Sequence, residues 1–147
     1  MDKKIAYEKS CGVIVVFKKN NSHEYLLVQH KALHWGFPKG HINPNETSIE
    51  TALRELDEET GIKEVEFLQN KPLTEHYEFN KDNVVVKKEV CYFIGIVRTQ
   101  NVRLQEQELK EFMWCDYKKA FSALTFVEAK RLLGEAEKII QSQKPFL

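Results

Sequence analysis

Glu55, Glu58 and Glu59 stand at i, i+3 and i+4 in the run Arg54-Glu55-Leu56-Asp57-Glu58-Glu59-Thr60-Gly61. On a helix their side chains rise from adjacent turns and meet. Like charges at those spacings weaken a helix by about 0.2–0.5 kcal/mol per pair unless something positive sits among them. Oxygen-only ligands suit a hard divalent cation, Mg²⁺ or Mn²⁺ rather than zinc, and Mg²⁺ held by a few carboxylates keeps waters and shares the phosphate oxygens of its substrate. The spacing therefore points to a metal-dependent enzyme acting on a polyphosphate. The plain alternative is a solvated, Glu-rich helix face carrying i,i+4 pairs.

The element that must carry these acids has its own signals. Ile49, Ala52, Leu53 and Leu56 recur at helical period and define a face that buries, with Glu55 and Glu59 on its border. Thr47 followed by Glu50 reads as a capping box, and Gly61 reads as a stop, so the spacing predicts a helix over about 47–60. Arg54 is i,i+4 to Glu58 and placed to hold that carboxylate.

With 147 residues the chain is expected to form one domain with a full core. Lys plus Arg, 22, equals Asp plus Glu, 22, so bulk attraction to nucleic acid or acidic membrane is not favoured and any anion site must be local. Cys11, Cys91 and Cys115 lack metal-ligand spacing and are expected to be reduced and buried. The apolar run Gly12 to Phe17 is too short for a signal core, and no run is long enough to span a bilayer; a cytoplasmic location and a monomer are expected.

Val13–Phe17 and Tyr25–Val28 read as strands joined by a polar turn. The Gly and Pro of Trp35-Gly36-Phe37-Pro38-Lys39-Gly40 argue for a shaped loop without regular structure. Val65–Leu68, Leu73–Phe79, Val84–Val97 and Phe112–Trp114 are further strand candidates, the second and third joined at Asn80–Asn83. A second helix, capped by Thr125 with Glu128 three residues on, buries Ala129, Leu132, Leu133, Ala136 and Ile140; the tail from Gln141 is expected to fray. Strands on both sides of the first helix imply an α/β fold with a mixed sheet and helices on both faces. There is no internal repeat, no Gly-x4-Gly-Lys-Ser/Thr loop and no Gly-x-Gly-x-x-Gly turn.

Gly40, Glu46, Arg54, Glu55, Leu56, Glu58, Glu59, Gly61 and Ile62 match every fixed position of the signature of the Nudix hydrolases, which the chain therefore resembles. The resemblance implies an α/β/α sandwich around a mixed sheet, a Mg²⁺ or Mn²⁺ cofactor, and metal binding by Glu55, Glu58 and Glu59 with the carbonyl of Gly40. The preceding loop, His34 to His41, is similar to that of the asymmetrically cleaving diadenosine tetraphosphate hydrolases. In that group the residues matching His34 and Lys39 reach the polyphosphate. Tyr77 and Lys88 resemble a Tyr that stacks on adenine and a Lys that contacts phosphate. Glu108, six residues before Trp114, resembles a late Glu that acts near the metals as ligand or base.

The chemistry these residues must perform is the attack of water on a phosphate already carrying negative charge, which requires neutralised phosphates and a base. Glu58 and Glu108 are both candidates for that base, and spacing does not rank them. Diadenosine tetraphosphate, cleaved to ATP and AMP, is the expected substrate. Rival readings are removal of pyrophosphate from triphosphorylated RNA 5′ ends, house-cleaning of nucleoside triphosphates, and a nucleotide-binding module on the same scaffold. Each flanking residue has a duller role open to it: Lys39 on the surface, His34 and His41 as loop supports, and Tyr77, Trp35, Phe37 and Trp114 as packing.

Overall fold

The computed structural model describes residues 3–143. Eight strands form one mixed sheet: β1 (Lys4–Lys18), β2 (His23–His30), β3 (Trp35–Gly36), β4 (Lys39–His41), β5 (Glu66–Phe67), β6 (Leu73–Lys81), β7 (Val84–Val97) and β8 (Leu109–Cys115). Three helices accompany them: α1 (Ser48–Thr60), α2 (Tyr117–Ala123) and α3 (Val127–Ser142). The central pair, β1 and β7, is parallel, and the remaining pairings are antiparallel.

Alternation along β1 sends successive side chains to opposite faces. Ile14 and Val16 enter the core beneath α2 and α3 with Tyr25, Leu27, Tyr92, Leu132 and Leu133, while Cys11, Val13 and Val15 enter the core beneath α1 with Ala52, Leu56 and Phe93. The expected α/β/α sandwich is therefore present. Cys11, Cys91 and Cys115 are buried and free. Among the described residues no helix is long and apolar enough to cross a membrane.

Several elements differ from expectation. β1 begins nine residues before Val13, at Lys4, because the polar stretch Lys4–Ser10 pairs in register with Val84–Val90 of β7; pairing, not apolar content, makes it a strand. The segment around Pro38 is not free of regular structure: Trp35–Gly36 pairs with β2 and Lys39–His41 with β1, on either side of Phe37-Pro38. α2 was not expected. It is seven residues long, buries only Ala120 fully, and is nucleated by Asp116, whose side chain accepts from the Lys119 N–H at 2.9 Å. α3 starts after Phe126, not at Thr125, whose Oγ1 instead accepts from the Trp35 N–H at 2.8 Å. Its buried face is the expected one, but it continues past Gln141 to Ser142, with Gln141 donating to Glu137 at 2.7 Å. Residues 144–147 of the tail lie outside the described residues.

α3 offers a test of this packing. A Cβ at Gly134 would meet only the Tyr117 hydroxyl, at an ordinary 3.6 Å. Gly134→Ala is therefore expected to stabilise the fold by about 0.5–1 kcal/mol through helix propensity alone, read as a rise in the urea midpoint with the slope unchanged.

Candidate active site

α1 is closed at both ends as its sequence indicates. The Glu50 N–H donates to Thr47 Oγ1 at 3.1 Å, the Thr47 N–H donates to Glu50 Oε1 at 2.9 Å, and Gly61 ends the helix in the left-handed conformation with φ 75°. The buried face is rotated from the expected stripe. Ala52 and Leu56 are buried, but Ile49 and Leu53 are half-covered, and Thr51, Thr60 and Glu59 are buried in their place. The rotation brings Glu59 against β4, where its Oε1 accepts from the Lys39 N–H at 3.1 Å.

Glu59 is 3 % exposed. Burial, and then the negative charge of Glu55, push its carboxyl up to about 8, with Glu108 adding to the rise and Lys39 opposing it. Glu55 is also held above the ordinary range, chiefly by burial, with Glu58 and Glu108 contributing. Glu108 is thus near enough for its charge to be felt by both. The chain brings it there because the Arg103 N–H donates to Thr60 O at 2.8 Å and the Gln105 N–H to Glu59 O at 3.1 Å, pinning the segment before β8 to the end of α1.

Arg54 organises the other side of the cluster. It donates to Glu55 at 2.8 Å and reaches Glu58 at 3.3 Å, the pair expected from spacing. Its strongest partner is one that spacing did not indicate: Glu46 accepts from Nε at 2.7 Å and from Nη2 at 3.0 Å. This two-pronged geometry is the strong form of an arginine–carboxylate pair. Glu46 is fixed in turn by the Asn43 N–H and Thr51 Oγ1, and the Arg54 hydrogen bonds hold its carboxyl down at about 2. Arg54 also donates to the His41 carbonyl at 2.9 Å, tying β4 to α1. Glu46 precedes the N-cap Thr47 and so lies in the loop before α1, where helical spacing does not fix its neighbours.

Gly40 lies between these parts. A Cβ there would fall on the Glu55 carboxyl group, so only glycine lets that carboxylate lie against the β4 backbone. Among the described residues no three His, Cys, Asp or Glu side chains already converge as a metal cage. Even so, the donor set suits a hard cation: all its atoms are oxygens, two of the carboxyls are held above the ordinary range by burial and by neighbouring carboxylates, and the glycine leaves room beside a backbone carbonyl.

On the other side of Lys39 a cavity of about 560 Å³ opens between β6 and the start of α3. Trp35, Phe37, Tyr77, Tyr92 and Phe126 supply its rings, and His30, His34, Lys39, Glu75 and Glu128 its polar groups. Tyr77, 41 % exposed, lines it. His34 stacks on His30 at 4.3 Å and sits 5.4 Å from the Phe126 ring; burial holds both imidazoles below their usual range, reinforced at His30 by His34 and then Lys39, and at His34 by Lys39. Lys88, directly opposite Tyr77 across β6 and β7, is 9 % exposed and 3.8 Å from Glu8; burial and then Lys39 lower its ammonium. Of the duller roles, packing suits Phe37, which is 1 % exposed, and Trp114, whose Nε1 donates to the Gln100 carbonyl at 3.0 Å. Phe126, Tyr92 and Glu75 are not marked by the sequence, and Glu128 is marked there only as a helix-capping residue, since one aromatic or one Glu in a strand or at a helix start carries no signal of a shared cavity.

The sequence model of the NUDIX domain family matches residues 8–136. The chain belongs to the Nudix family. Across 91 % of its length it is 33 % identical to the asymmetrical bis(5′-nucleosyl)-tetraphosphatase of Mus musculus, covering 96 % of that protein. The fold is similar to the crystal structure of a binary complex of the C. elegans Ap4A hydrolase, with a TM-score of 0.81 and 25 % identity over 92 % of this chain and 98 % of that one. The RNA pyrophosphohydrolase of Bartonella henselae is 30 % identical over a shorter stretch, 54 % of this chain and 50 % of the relative. This Nudix hydrolase is thus related to the asymmetrical tetraphosphatases along nearly its whole length.

The charge state of Glu59 makes the Nudix site pH-sensitive before any ligand is added. Its carboxyl lies at about 8 in the fold, above the ordinary 4.5. Protonation therefore favours folding: the contribution is complete below the unfolded value and is lost as pH rises through the folded one. The expected result is a melting temperature, measured in chelator, that falls between about pH 5 and pH 8, with a smaller fall in Glu59→Gln.

Proposed function

We propose that the chain hydrolyses dinucleoside polyphosphates in a Mg²⁺-dependent reaction, with Mn²⁺ as substitute, and cleaves diadenosine tetraphosphate to ATP and AMP. The observation that carries this reading is the position of Lys39, whose backbone N–H holds Glu59 while its side chain lines an aromatic cavity. One residue thereby joins a carboxylate cluster suited to a cation and a cavity suited to a base. The kinship with tetraphosphatases over 91 % of the chain supports it.

Glu55, Glu58 and Glu59, with the Gly40 carbonyl, would hold the cation. When bound it polarises phosphoryl oxygens and makes adjacent water more acidic. The chain's own groups do the rest. Lys39 places fixed positive charge beside the polyphosphate and needs no reorganisation as charge develops, with His34 near it in the cavity and Lys88 in a separate hollow that Tyr77 also lines. Tyr77 stacks on the base, and Phe126 and Trp35 add ring surface that excludes water. A carboxylate accepts the proton of the attacking water as a P–O bond to the departing nucleotide breaks. Glu108 suits that task better than Glu58, because Arg54 engages Glu58 while Glu108, also exposed, is near enough to the cluster for its charge to be felt by Glu55 and Glu59. Arg54 acts as a positioning residue through Glu46 and Glu55.

Turnover on diadenosine tetraphosphate compared with that on a 5′-triphosphorylated RNA and on nucleoside triphosphates, each with and without Mg²⁺, tests the reading. A clear preference for the dinucleotide is expected. Faster loss of pyrophosphate from RNA, or from a nucleoside triphosphate, would replace it, and binding without turnover on any of them would make the chain a nucleotide-binding module.

A further inference from the structure

The aromatic cavity holds a group that stacking does not need. Glu75 lies two residues before Tyr77 on β6, so strand alternation turns both side chains to the same face, and both line the cavity. Glu75 is half-buried there. Burial, and then the charge of Glu128, hold its carboxyl above the ordinary range, while Lys39 and Arg131 oppose that rise and no hydrogen bond contributes. As a purely structural group it is unfavourable: a carboxyl set among rings and beside a second carboxyl costs stability that an aliphatic side chain would not. It does give the cavity acceptor oxygens between flat apolar walls. A ligand that complements both is a planar base with an N–H donor on its edge.

Resting on the reading above and deepening it, we propose that Glu75 is a specificity-determining residue that accepts a hydrogen bond from the exocyclic amino group of the bound base. The consequence is a preference for amino-bearing purines over the same ring without the amino group. Both protonation states serve, since the ionised group offers two acceptor oxygens and the neutral group keeps its carbonyl oxygen. Glu128, at the start of α3, lines the same cavity but is ion-paired with Arg131 at 3.0 Å, which leaves Glu75 as the acceptor for the amino edge.

The test is equilibrium binding, by calorimetry, of ADP and of purine riboside 5′-diphosphate, which differ by the 6-amino group alone, to the wild type, Glu75→Gln and Glu75→Leu. The wild type is expected to bind ADP roughly tenfold or more tightly, as for a hydrogen bond to a charged acceptor. Glu75→Gln keeps part of that ratio through its amide oxygen. Glu75→Leu brings the ratio to about one while raising the melting temperature. Equal binding of the two ligands by the wild type, an unchanged ratio in Glu75→Leu, or failure of the wild type to bind ADP would each overturn the inference. Turnover on diadenosine tetraphosphate in the same preparations separates the two readings: a ratio governed by Glu75 without cleavage sinks the proposed activity and leaves the base contact standing.

Discussion

Glu59→Gln is expected to lower kcat on the order of 10²–10⁴-fold while leaving the fold intact. The substitution keeps the shape of the side chain and the acceptor for the Lys39 N–H, 3.1 Å away in the parent, so β4 and α1 should stay together. What it removes is a charge at the buried centre of the acid cluster. At about pH 8 and in chelator the variant should melt no lower than the parent, because the parent carries there a buried carboxylate that burial and Glu55 disfavour. The two readouts move apart, and that separation is the informative part. Lost turnover with unchanged or improved stability identifies a group kept for ligand chemistry; lost turnover with a collapsed fold would make Glu59 a structural residue. An unchanged rate would favour a binding role for the whole domain.

Gly40→Ala should be nearly as damaging by another route. The added Cβ would fall on the Glu55 carboxyl, the end of a side chain that can swing, so the fold can survive while Glu55 leaves its place. Its 2.8 Å pair with Arg54 is then broken, and Arg54 is left to Glu46 and Glu58. The expected loss of kcat is on the order of 10²-fold, together with a higher Mg²⁺ concentration for half-maximal rate, read by titrating the cation at saturating substrate. Circular dichroism should be unchanged. Gly134→Ala is the matched control, since its Cβ has room on α3 and lies away from the cluster. If Gly40→Ala kept both rate and cation dependence, the Gly40 carbonyl and Glu55 would have no shared role.

How much of this is legible in residues alone depends on how local each determinant is. α1 is readable to the residue at both ends because its signals are adjacent in sequence: Thr47 and Glu50 satisfy each other, and Gly61 supplies the left-handed turn. Glu55, Glu58 and Glu59 are legible for the same reason, since three- and four-residue spacings fix their neighbours. The start of β1 is not, because Lys4–Ser10 is ordered by strand partners some eighty residues away. α2 escapes notice as too short for an apolar period, and Thr125 imitates a cap while serving the Trp35 N–H from across the fold. The same divide runs through the site. Arg54–Glu58 follows from a helical turn, whereas the stronger Arg54–Glu46 pair needs the loop to fold back. The burial of Glu59 and the cavity shared by Tyr77, Phe126 and Glu75 depend on three-dimensional packing that no short-range pattern encodes.

The most direct test of the account is the hydrolysis of diadenosine tetraphosphate in ¹⁸O-labelled water, with products separated and weighed, in Mg²⁺ and again in chelator. The account predicts ATP and AMP in equal amounts, the label in one of the two, and no turnover without the cation. Two molecules of ADP, or cleavage that continues undiminished in chelator, would contradict it.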